Sequence, residues 1–154
     1  MAGHFTSDTP GGNNIKVKVR LDFKGSARQG RFFFGGKPLE KVAEEIRDQN
    51  VAMYRNIPIQ GVAIDHIDMG TEVYTMTDEV SGSEAAYAPV ILDVSADYLE
   101  DVIKFIARED FRKVEIMSPD TLTLNKSEIE RMLFRMSEEI KNYKQVLERK
   151  YNMR

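Results

Sequence analysis

Apolar and polar residues alternate without a fault from residue 15 onward. Ile15, Val17, Val19, Leu21 and Phe23 are interleaved with Lys16, Lys18, Arg20, Asp22 and Lys24. A period of two puts one set on each side of an extended chain, so this run predicts a strand with one buried and one wet face. Residues 1–14 hold Gly, Asn, Ser, Thr and Pro with no apolar period, the pattern of a mobile tail. Gly25 to Gly30 predicts a loop, and Arg31 to Phe34 a short returning strand that would close an N-terminal hairpin.

The period then changes. Pro38 suits the first position of a helix, and Leu39, Val42, Ala43 and Ile46 follow on one face, with the helix expected to end near Asn50. Residues 57–69 predict a strand and Val73 to Thr77 another, joined by a tight turn at Gly70. Tyr87 to Val94 reads as an apolar strand with Pro89 near its start. Ser95 is placed to cap a second helix whose stripe is Leu99, Val102, Ile103 and Ile106. Phe111 to Met117 predicts the last strand, ended by Ser118-Pro119-Asp120.

Ser127 and Glu130 match a capping box, opening a helix to about Tyr151 that is roughly 37 Å long at ~1.5 Å per residue. On it Ile129, Leu133, Met136, Ile140, Tyr143 and Leu147 advance by alternating steps of four and three, a heptad seam that Lys150 breaks. Met132, Phe134 and Val146 widen the apolar surface. A small sheet offers room for ~15 residues of such a helix, so the remaining turns need another surface.

The order β-α-β-β-α-β followed by a long helix resembles the split arrangement called ferredoxin-like. The expected fold is an α+β ferredoxin-like sandwich with an N-terminal hairpin and a long C-terminal helix. Residues 15–125 form one domain, and 126–154 belong to it or serve oligomerisation. A fold of this kind carries no function by itself.

Charge sharpens this picture. The formal net charge is -3, yet residues 1–36 carry six Lys/Arg against two Asp/Glu, residues 37–125 eight against eighteen, and residues 126–154 eight against five. Between Arg55 and Lys104 there is no Lys or Arg and there are ten acids. The absence of cysteine removes disulfides, thiolate metal sites and cysteine nucleophiles, and fits a reducing compartment. No apolar run nears the ~20 residues of a membrane helix, and the first ten residues lack a secretory pattern, so a cytoplasmic protein with no membrane contact is expected.

Candidate chemistry is sparse. Lys16, Lys18, Arg20 and Lys24, with Arg28 and Arg31, form a basic strand face that could bind a polyanion such as nucleic acid. The acidic whole and an exposed face expected to hold no aromatics on which bases could stack favour a solvated face instead, or one paired with the acidic middle of another copy. Gly25 to Arg31 has phosphate-loop spacing, but Arg31 and Phe32 stand where lysine and Ser/Thr are required. His66 and Asp68 on one strand side are a weak metal candidate, with Asp65 directed away; two ligands make no site, and no cofactor is implied. Within the acidic 56–103 stretch nothing marks a catalytic residue.

The expected function is a non-catalytic assembly or regulatory module, self-associating or binding a protein partner through Ile129, Leu133, Met136, Ile140, Tyr143 and Leu147. The alternatives are a small-ligand sensor domain and a polyanion binder.

Overall fold

The computed structural model describes residues 15–27 and 38–152. The expected tail over 1–14 and the returning strand over Arg31–Phe34 lie outside the described residues, as do Arg28 and Arg31. Among the described residues five strands and three helices follow in order. They are β1 (Ile15–Ser26), α1 (Leu39–Asn56), β2 (Val62–Asp68), β3 (Tyr74–Thr77), β4 (Glu84–Ala96), the one-turn α2 (Ile103–Ile106), β5 (Phe111–Ser118) and α3 (Lys126–Asn152). A 3-10 turn at Leu99–Val102 leads into α2. All pairings are antiparallel, in the order β2-β4-β1-β5, with β3 also on β4. This α+β arrangement is compatible with a ferredoxin-like sandwich.

The alternation in β1 decides the layering. Ile15, Val17, Val19, Leu21 and Phe23 are at most 6% exposed and meet Val90, Leu92, Val94, Val51, Val102 and Phe105 in the main core. Packing them away from water supplies the main driving force, at about 25 cal/mol per Å². A second cluster of Ala43, Ala86 and Ala88 lets α1 sit close to the sheet. Gly25 completes that approach, because a Cβ there would fall 2.4 Å from the Ala43 nitrogen and 2.8 Å from the Leu39 oxygen.

Several boundaries differ from the sequence pattern, each for a local reason. The first helix runs on to Asn56, because Val51 and Tyr54 continue its buried stripe past Asn50. The strand expected over 57–69 begins only at Val62. Residues before it form a turn with Gly61 at φ 77°, closed by an isolated bridge between Ile59 and Val62. β2 and β3 do not pair with each other as a hairpin would. Both pair with β4, β2 along Ile91–Ala96 and β3 along Glu84–Tyr87. The interval between them holds Pro89, which has no N–H to offer a neighbouring strand and lies mid-strand rather than near its start.

Ser95 is no helix cap. It lies within β4, one residue before its end, and donates its hydroxyl to Asp65, and the second helix shrinks to one turn. A register shift between Ile64 and His66 breaks the strict alternation that set Asp65 away from His66 and Asp68, and Asp65 accepts this bond on the open face of the sheet. The cap of α3 is Asn125, whose Oδ1 accepts the Glu128 N–H at 2.9 Å. Ser127 instead accepts from Arg131 at 3.1 Å.

Candidate interaction surface

The 27 residues of α3 extend about 40 Å at ~1.5 Å per residue. The helix is held at two places. Near its start Arg131 Nε donates to Glu100 at 2.9 Å, with its guanidinium 5.4 Å from the Tyr98 ring centre. Near its end Lys150 reaches Glu109 at 3.3 Å. Between these ties no residue of α3 is buried.

The half-buried positions are Glu128, Met132, Arg135, Glu139, Tyr143 and Leu147. On a helical projection they centre beside the heptad seam rather than on it. The domain therefore leaves the seam largely uncovered: Ile129 is 44% exposed, Leu133 60%, Met136 42% and Ile140 63%. Four such residues in one stripe are far from the usual scatter of single exposed apolar side chains. Phe134 and Val146 are exposed as well.

Where α3 leans over the sheet it leaves a cavity of about 350 Å³ lined by apolar side chains alone. Val17, Val114 and Ile116 come from the sheet side, and Met132, Met136 and Ile140 from the helix. Burial pushes the Tyr143 hydroxyl above its usual range, helped by Glu109 and Asp110. Burial also lowers the Lys104 amine and raises the Asp101 carboxyl.

The opposite, open face of the sheet is charged but internally paired. Lys16 lies 3.9 Å from Asp65, Lys18 3.9 Å from Asp93, and Lys24 2.6 Å from Asp78. The hydrogen bond to Asp78 raises the Lys24 pKa, and the same bond lowers that of Asp78. Lys113 meets Glu115 at 2.5 Å. Three of the four described cations of the basic row are thus matched by acids from the middle of the chain, and Arg20 by Asp22 of its own strand.

At the centre of that face the structure assembles a group the sequence did not single out. Asp22 is 2% exposed although its position alternates outward. It accepts from Arg20 Nε at 2.9 Å and from the Tyr74 hydroxyl at 2.5 Å, with Arg112 Nε 3.7 Å away. Tyr74 stacks on Tyr87 with centroids 5.3 Å apart, and Arg112 lies 5.5 Å over the Tyr87 ring. Burial, then Asp22, raises the Tyr74 pKa. An acid interrupting a row of cations was the available signal; the tyrosines that cover it arrive only through β3–β4 pairing.

His66 and Asp68 are both exposed on β2, and no group of three or more potential metal ligands occurs among the described residues. A second cavity, about 370 Å³, lies between the end of α1 and β2, with Tyr54, Arg55 and Ile64 in its wall. Neither cavity has a carboxylate or histidine in its lining, so neither presents an acid–base pair. Among the described residues no helix is long and apolar enough to cross a membrane.

No protein-family model, curated protein or solved structure matches the chain.

Proposed function

We propose that the chain is a non-catalytic assembly or regulatory module on a ferredoxin-like sandwich, acting through protein–protein contacts and self-associating through α3. The single observation carrying this reading is the seam of Ile129, Leu133, Met136 and Ile140, which remains 42–63% exposed on a helix with no buried residue. Helices this long draw most of their stability from packing of the apolar face rather than from propensity. A covering surface supplied by another chain provides it.

The test is native mass over a range of concentrations. Wild-type protein is expected to exceed the 17.6 kDa of one chain. A Leu133→Glu/Ile140→Glu variant is expected to return to one chain while keeping its far-UV spectrum. Wild-type protein that stays at one chain mass at every concentration contradicts self-association.

One observation favours a second reading, a small-ligand sensor. The 350 Å³ cavity under α3 has the size and apolar lining of a pocket for a small apolar molecule. Thermal-shift screening separates the two, since a ligand that binds only the folded state raises the midpoint, increasingly so as its concentration exceeds Kd.

A further inference from the structure

Resting on the self-association reading, we infer that the second copy docks on α3 antiparallel, about a two-fold axis near Glu138. In the heptad frame the six seam residues then form three kinds of layer: Ile129 on Leu147, Leu133 on Tyr143, and Met136 on Ile140. Each layer occurs twice, and no seam residue is left over. Antiparallel pairing places the two core positions of the heptad opposite each other, and the seam's 4-3-4-3-4 spacing is symmetric under that exchange.

Charge on α3 points the same way. Residues 126–139 carry four Glu against three Lys/Arg, and residues 140–152 carry one Glu against four, giving halves of -1 and +3. Antiparallel packing sets unlike halves side by side, whereas parallel packing sets the cationic halves together. It also opposes the helix dipoles favourably. At the rim Glu130 comes opposite Lys144, both exposed, and Met132 opposite Val146. Glu139 is the acid brought near its own counterpart; it is half-buried and already engaged electrostatically with Lys104.

The area is of the right order. At roughly 150–200 Å² for a fully exposed large side chain, Ile129, Leu133, Met136, Ile140 and Val146 together offer about 400–500 Å². Tyr143, Leu147 and the stems of Glu130 and Lys144 bring the patch toward the ~800 Å² per partner typical of a specific interface.

The chain has no cysteine, so introduced cysteines report single contacts. The full chain is made as Ile129→Cys and as Leu147→Cys, one bearing an affinity tag to distinguish mixed from like dimers. The two are mixed under reduction and then oxidised mildly. Neither position is buried in the fold, and far-UV spectra check that each variant folds. Antiparallel docking gives mixed dimers several-fold in excess over either like dimer, and Leu133→Cys with Tyr143→Cys behaves the same. Like dimers dominating overturn the antiparallel register but leave self-association standing. A dimer by mass that yields no cross-link at either pair places the contact elsewhere and also overturns it. A single-chain mass without cross-links removes the self-association reading itself.

Discussion

Replacing Asp22 by alanine tests whether the open sheet face is held by its buried carboxylate. The side chain is 2% exposed and accepts from Arg20 and Tyr74, with Arg112 within 3.7 Å. Breaking a fully buried ion pair by removing one partner costs about 3–5 kcal/mol. Here both guanidiniums are 37% exposed and regain water when Asp22 is gone, which lowers the figure. The half-buried Tyr74 hydroxyl loses its acceptor, worth about 1 kcal/mol. The expected loss is therefore about 2–3 kcal/mol, or ~5–10 °C in the thermal midpoint for a domain of this size. Asp22→Asn, which keeps the shape and one acceptor, should lose less. Thermal unfolding followed by far-UV circular dichroism reads both. A midpoint for Asp22→Ala within ~1 °C of wild type would refute the assignment of Asp22 as the centre of this network.

Three further outcomes follow from the structure. Tyr54, Tyr74 and Tyr143 have folded-state pKa values above the ordinary ~10, because burial disfavours the phenolate. The folded chain therefore holds these protons more tightly than the unfolded one. Their contribution is intact below about pH 10 and falls as pH rises beyond it, and denaturant midpoints at pH 9 and 11 should show the drop, less steeply in Tyr74→Phe. Gly25→Ala drives a methyl into the backbone of α1 at 2.4 Å and should cost about 3 kcal/mol or more, seen as a fall of roughly 10 °C in the midpoint; an unchanged midpoint contradicts the close approach. Asn125→Ala removes the cap of α3 and should cost about 1 kcal/mol, with exchange speeding up first in the amides of Glu128 and Ile129.

The strand β1 was legible because its period of two is unbroken and every apolar member enters the core. The end of α1 was not, because a stripe read only to Ile46 gives no reason to include Val51 and Tyr54. Ser95 illustrates a different failure. Its chemistry suits a cap, but the sheet outbid the helix for it, through Asp65 and the last pairs of β4. Asp22 looked like one more solvent-facing residue, since the aromatic lid over it is built from β3, about fifty positions along the chain. The heptad seam itself was legible. What the sequence withheld was the rotation of α3 about its axis, a tertiary property, which half-buries Glu128, Arg135 and Glu139 and leaves much of the apolar seam uncovered.

Amide hydrogen exchange along α3, measured across dilution, bears most directly on whether that seam is covered by a second copy. Covering predicts strong protection from Met136 to Leu147 at high protein concentration, lost on dilution while the β1 and β4 amides stay protected. Protection along α3 that is the same at every concentration would contradict it.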